Sequence, residues 1–121
     1  MKANQRAAVA GIIMALINDN QIRTVYSYEL ASHISLSGTV KKNQVKVYDY
    51  SRSCHITGNS NDGRKYSLYD YGTSGHISIT VNGKNASGYD YGKGYHFSCS
   101  VNRRSASFYD YETGQYYNYS C

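Results

Sequence analysis

Four histidines recur beside tyrosines and an aspartate at a fixed spacing, and these are the side chains that could do chemistry. Tyr-Asp-Tyr stands at 48–50, 69–71, 89–91 and 109–111, with Tyr26-Ser27-Tyr28 as an earlier, degenerate copy. His33, His55, His76 and His96 each follow the last Tyr of a copy by five residues, and Tyr116 takes that place after the final copy. Ser, His and Asp are the elements of acyl transfer, and His and Asp are metal ligands. An active site, however, needs one pocket with convergent, perturbed groups. This chain instead repeats one equal set. Successive His residues fall two strands apart, ~9.5 Å, whereas zinc ligands must all lie ~2 Å from one ion. Asp49, Asp70, Asp90 and Asp110 fall on alternate strands, so their oxygens do not converge as calcium requires. Each stands two residues before a loop residue, Ser51, Gly72, Gly92 or Glu112, the spacing of an Asx-turn. Gly72-Thr73-Ser74-Gly75 joins two strands and is no phosphate loop. The expectation is a protein that is not an enzyme and takes no cofactor or metal.

The period points to a chain built from one small unit. In His76–Tyr91 polar and apolar residues alternate, the signature of strands. Asn82-Gly83 signals a two-residue hairpin of type I′. That turn pairs Val81 with Lys84, Ile79 with Ala86 and His76 with Tyr89. The next unit turns at Asn102-Arg103, the preceding one at Asn61-Asp62-Gly63, where Ile56 faces Leu68. The first pairs Ile34 with Val47 and Leu36 with Val45. In every unit one face is then apolar and the other carries Ser, His and Tyr. A one-residue slip would invert the faces, so this agreement specifies them strongly. Four-residue connections such as 72–75 place Tyr71 beside His76. Each His then lies between two Tyr, as in Tyr71-His76-Tyr89 and Tyr91-His96-Tyr109.

The fold expected is mainly β. It is a ten-stranded antiparallel up-and-down meander of five hairpin repeats, each of about 20 residues. It closes, or nearly closes, into a barrel around one N-terminal apolar helix. Rows drift two residues per hairpin, giving a shear of about ten. The 121 residues form a single domain, 1–121, with a helix at 3–18 and the meander at 24–121. A helix that is apolar all round belongs in a core. From Ala7 to Ile17 it spans ~16 Å, which matches the height of the sheet. Ala8, Ala10, Gly11 and Ala15 keep it thin. A plugged barrel leaves no small-molecule cavity.

Lys2 and Arg6 before that apolar run resemble the start of a secretory signal. No small-x-small cleavage site follows, and the run is too short to span a bilayer. The expectation is therefore a structural helix, a cytoplasmic protein and no membrane partner; a secreted protein is the alternative if 1–17 act as a signal. Three Cys cannot make a full disulfide framework. Cys99 and Cys121 fall two strands apart on one row, too far to bridge, so three free thiols are expected.

Charge separates by end. The hairpin tips carry Lys41, Lys42, Arg64, Lys65, Lys84, Arg103 and Arg104 against Asp62. The other end carries Glu29, Asp49, Asp70, Asp90, Asp110 and Glu112 against Arg52 and Lys93. The leading functional expectation is a small protein-binding module of inhibitor or immunity type, from a bacterium or phage. Its contact residues would be Tyr71, His76, Tyr89, Tyr91, His96 and Tyr109 on the outer face. That composition has the character of a paratope, with rigid aromatic area among adaptable polar groups. Nucleic-acid binding through the basic rim is one alternative. A lectin-like module that stacks sugars on repeated Tyr sites is another.

Overall fold

The computed structural model describes residues 1–22 and 24–121. Among these residues one helix, α1 (Ala3–Asn18), precedes eleven strands. These are β1 (Val25–Ser27), β2 (Ser32–Ile34), β3 (Leu36–Val40), β4 (Gln44–Asp49), β5 (Cys54–Asn59) and β6 (Lys65–Asp70). There follow β7 (Gly75–Asn82), β8 (Asn85–Asp90), β9 (Tyr95–Asn102), β10 (Ser105–Asp110) and β11 (Gln115–Ser120). All lie in one antiparallel sheet of order β2-β1-β11-β10-β9-β8-β7-β6-β5-β4-β3. The first and last strands pair, with Tyr26 opposite Ser120 and Ser27 opposite Tyr119. The two end strands of the sheet, β2 and β3, are consecutive in the chain and separated only by Ser35. The barrel is thus nearly closed, and its seam lies within one stretch of chain.

That seam accounts for eleven strands where ten were expected. The second strand breaks at Ser35; β2 pairs with β1, and β3 with β4. Gly38 in β3 has φ 125°, and a Cβ there would stand 2.1 Å from the Lys46 carbonyl oxygen. Only glycine fits this bend.

The faces come out as expected, but the registers do not. Asn82 pairs with Asn85, so the turn is Gly83-Lys84 rather than Asn82-Gly83. Of these two, Gly83 has positive φ and Lys84 does not, which excludes type I′ and fits type II′. Ile79 consequently faces Gly88, not Ala86, and Val81 faces Ala86, not Lys84. The unit before shifts by the same two residues, with Ile56 opposite Asp70 rather than Leu68. The next unit turns at Arg103-Arg104 instead of Asn102-Arg103. In the first unit Leu36 faces Asp49 instead of Val45. Every shift is even, and so no side chain changes face.

The connections shift the other way. The loop after β6 is Tyr71–Ser74, because Asp70 pairs with Gly75. Its last residue, Ser74, is left-handed, as are Ala31, Ser53, Gly94 and Gly114 at the corresponding places. The Gly94 and Gly114 N–H groups donate to the Asp90 and Asp110 carbonyls at 2.7 and 2.8 Å, closing a single helical turn. From β5 onward rows therefore still climb two residues per unit, but in the opposite sense. Sheet twist has one hand, and a closing barrel must stagger to match it.

The barrel interior holds α1. Ala7, Ala8, Val9, Ala10, Ile12 and Ile13 are fully buried against Val25, Val47, Ile56, Ile77, Ile79, Phe97 and Phe108. A Cβ on Gly11 would stand 2.6 Å from Val25 Cγ2, so the helix touches the wall at its thinnest point. Phe97 stacks on Phe108 at 5.1 Å, and its ring fills the space that a side chain at Gly88 would need. Ile13→Asp should abolish folding, since it buries an unpaired carboxylate. Ile13→Val should cost about 0.5–1.5 kcal/mol. Urea denaturation of both variants checks this; a folded Ile13→Asp protein would refute a helix packed inside the sheet.

Cys54, Cys99 and Cys121 are free thiols. The row expected to join Cys99 to Cys121 does not exist. Cys99 faces Ala86 and Phe108, and Phe108 faces Tyr117. Burial pushes the Cys99 thiol up to about 12. An unfolded thiol ionises near ~8.5, so the unfolded chain releases its proton first. Stability should therefore fall as pH rises from about 9 toward 12. Cys99→Ala should flatten that fall in urea titrations, and native Cys99 should resist alkylation longest of the three.

Candidate functional site

The outer face is organised by aromatic trios. In each, the first Tyr of a motif is met edge-on by the second Tyr and by the residue directly across the return loop. The trios are Tyr26/Tyr28/His33, Tyr48/Tyr50/His55, Tyr69/Tyr71/His76, Tyr89/Tyr91/His96 and Tyr109/Tyr111/Tyr116. Their centroids lie 4.7–4.9 Å apart at 61–84°. Edge-to-face contacts of this kind contribute ~0.5–1.5 kcal/mol each beyond area burial.

This corrects the expected neighbours of each His. His76 pairs with Tyr69, and its carbonyl accepts the Tyr91 N–H at 3.0 Å. The expected flanks were Tyr71 and Tyr89. Likewise His96 pairs with Tyr89 and accepts from Tyr111, not from Tyr91 and Tyr109. His33 pairs with Tyr26 and His55 with Tyr48. Each of these His residues lies opposite the first Tyr of the preceding motif, not the last.

Of the expected contact residues, Tyr71 and Tyr91 are 58% and 63% exposed, and His76 and His96 are exposed. Tyr89 and Tyr109 are half-buried and serve as the platforms on which the outer rings rest. His76 and Tyr91 edge a shallow outer trough of about 620 Å³. Its floor is the directly paired Ser67 and Ser78, and its far wall is Asn59–Asn61. The sequence reading missed this trough, because small serines flanked by aromatics become a depression only once β5, β6 and β7 lie side by side. It also missed that Tyr28, Tyr50, Tyr111 and Tyr116 are as exposed as the residues singled out.

The two mouths differ in how their charge is met. At the acidic mouth each inward Asp accepts a loop N–H two residues on, at 3.0, 2.8, 3.0 and 2.9 Å for Asp49, Asp70, Asp90 and Asp110. Arg52 bridges Asp49 at 2.7 Å and Asp70 at 3.0 Å. Arg6 enters from the helix, meeting Asp110 at 2.8 Å and Glu29 at 3.0 Å and lying over the Tyr117 ring at 3.7 Å. Gln5 donates to Asp70, and the Met1 amine meets Glu112 and Asp110. Burial opposes the Arg6 charge, but the hydrogen bond to Glu29, the attraction of Tyr119 and Glu29 and the hydrogen bond to Asp110 outweigh it and raise its pKa. The sequence places the Arg6 charge at the acidic end of the barrel, but not its burial or its partners, and Gln5 is legible only as a polar residue ahead of the apolar run.

At the basic mouth Lys41, Lys42, Arg64, Lys65, Lys84, Arg103 and Arg104 are all exposed. Among the described residues none of these seven joins an ion pair. Asp62 is committed to its own loop, accepting the Arg64 and Lys65 N–H groups at 2.9 Å each. Those N–H groups, Lys65 first, hold its carboxyl below the usual range.

The interior is occupied by α1, but the expectation of no small-molecule cavity needs amending. Besides the outer trough, a recess of about 590 Å³ opens at the acidic mouth beside Lys2, Gln5, Thr73 and Asp90. Among the described residues no helix is long and apolar enough to cross a membrane.

Arg6→Met should destabilise the fold by about 3–5 kcal/mol, because it strands buried Asp110. Arg103→Ser, on the open rim, should change stability by less than about 0.5 kcal/mol. Chemical denaturation of the pair measures both. Compared with protein-family models, with characterised proteins and with solved structures, the chain matches none of them.

Proposed function

We propose that this chain is a non-enzymatic binding protein that docks another protein on its outer Tyr/His/Ser face. The role fits an inhibitor or immunity-type protein of bacterial or phage origin acting in the cytoplasm. The observation that carries the reading is the immobilised, exposed aromatic area. Tyr71 and Tyr91 present more than half their surface to solvent while their rings rest on Tyr69 and Tyr89 at 4.8 Å. An aromatic side chain already held in place loses little freedom on binding, and such residues dominate interface energy. The serine-floored trough between His76, Tyr91 and Asn59–Asn61 gives the face a shape to match.

A second reading is nucleic-acid binding through the tip cations, favoured by their lack of counter-ions among the described residues. Tyr and Lys/Arg are not interleaved there, which counts against base stacking. A lectin-like use of the Tyr sites is the third reading; binding on a glycan array would favour it.

Partner capture from source-cell extract, followed by affinity measurement, separates the first two readings. Tyr91→Ser should cost about 1 kcal/mol of stability or less and at least tenfold in partner affinity. Lys84, Arg103 and Arg104 replaced together by Ser should slow association and weaken its salt dependence without abolishing binding. Normal binding by the Tyr variant with none by the triple variant transfers the function to the basic rim.

A further inference from the structure

The four inward aspartates differ in one respect. Arg52 serves Asp49 and Asp70, and Arg6 serves Asp110. Asp90 is only 4% exposed, and its Oδ1 accepts the Gly92 N–H at 3.0 Å. Among the described residues no cation lies within ion-pair distance of Asp90, and no donor reaches its Oδ2. Lys93 follows Asp90 by three residues, as Arg52 follows Asp49, yet Lys93 is exposed and does not return to its carboxylate.

Asp90 lines the 590 Å³ recess at the acidic mouth. Two glycines open that recess. Gly72 and Gly92 stand where the other copies carry Glu29, Ser51 and Glu112. Glu29 and Glu112 fold back over the mouth to meet Arg6 and the Met1 amine. A Cβ on Gly92 would stand 3.3 Å from Asp90 Oδ1, so even an alanine would crowd the carboxylate. The exposed Lys2 and Lys93 line the same recess. Asp90 Oδ2 is not among the fully buried atoms left without a partner, so it meets solvent at the recess, where a cationic donor can reach it. Arg52 lines the recess as well, and its Nη2 has no hydrogen-bond partner among the described residues. Two nearby ammonium groups and this guanidinium would repel a simple cation but attract an anion on the same molecule.

We propose that this recess binds a small zwitterion. Its guanidinium or ammonium group donates to Asp90 Oδ2, as Arg52 does to Asp49 at 2.7 Å. Its carboxylate lies between Lys2 and Lys93. A free basic amino acid carries both groups, and so does the C-terminus of a peptide ending in Arg or Lys. The site is separate from the outer aromatic face, and its occupation does not depend on a protein partner there.

The test titrates the full chain with L-arginine, with N-acetyl-Gly-Arg, and with agmatine, which keeps the guanidinium but lacks the carboxylate. Calorimetry and the Gly92 amide resonance report binding. L-arginine or the peptide should bind at least tenfold more tightly than agmatine, and the tighter of the two identifies the source. Asp90→Asn retains an oxygen for the Gly92 N–H, so it should keep the native near-UV CD and lose at least tenfold in affinity. Lys93→Arg offers the carboxylate an internal guanidinium; it should raise Tm and weaken arginine binding. The proposal is overturned if neither carboxylate-bearing probe saturates by about 10 mM, weaker than a specific site of this kind should be. Equal binding by agmatine, or unchanged binding by Asp90→Asn, overturns it as well.

Discussion

A sheet that curls onto itself must fill its own interior, and here one thin helix does so. The requirement reaches into most of the sequence. It explains why α1 is apolar on every side, why small residues stand among its Ile and Met side chains, and why Gly11 lies against Val25 and Leu36. It also sets the inward alternation of each strand, since every inward side chain meets either the helix or a neighbour across the wall. The sheet closes through β1 and β11, leaving the interruption at Ser35, where a continuous chain holds the two sheet ends together.

Filling the barrel also brings polar groups inside at one end. The helix enters with Gln5 and Arg6 already buried, and the return loops turn the motif aspartates inward to meet them. One oxygen of each aspartate holds the loop; in Asp49, Asp70 and Asp110 the other meets Arg52 or a side chain of the helix. Buried ion pairs add little net stability compared with apolar packing, but breaking one is expensive. Their contribution here is therefore best understood as orientation, fixing which end of the helix enters which mouth. The same pairing offsets much of the negative charge at that mouth, whereas the seven cations of the hairpin tips stay exposed and without an ion pair among the described residues, so the positive field is strongest at the tip end.

The outer face shows how scaffold and surface chemistry can share residues. The inner Tyr of each motif is a cross-strand partner that stiffens the sheet, and the outer Tyr is the area presented to solvent. Stacking joins the two roles, because the ring that is free to contact a partner is the ring whose motion its neighbour restricts. The histidines belong to the same arrangement. They stand edge-on to tyrosines on the outer wall, and each meets a trio of its own instead of a shared centre.

The sequence by itself determined which side chains face inward, that the strands form a closing antiparallel meander, and that an N-terminal helix occupies its interior. These follow from alternation and from apolar content, which survive any even shift in pairing. It did not determine register. Asn82-Gly83 is a strong local signal for one turn, yet the chain turns at Gly83-Lys84. The choice rests on the hand in which a closed sheet must stagger, which is not written in four consecutive residues. Because register decides which residues on neighbouring strands touch, the Tyr partners of each His, the serine-floored trough and the row of Cys99 were all tertiary outcomes. So was the acidic mouth. The charges of Arg6, Arg52 and the four aspartates could be read in advance. Which aspartate each Arg reaches, and that Asp90 is reached by neither, depends on where a rigid helix and five loops come to rest together.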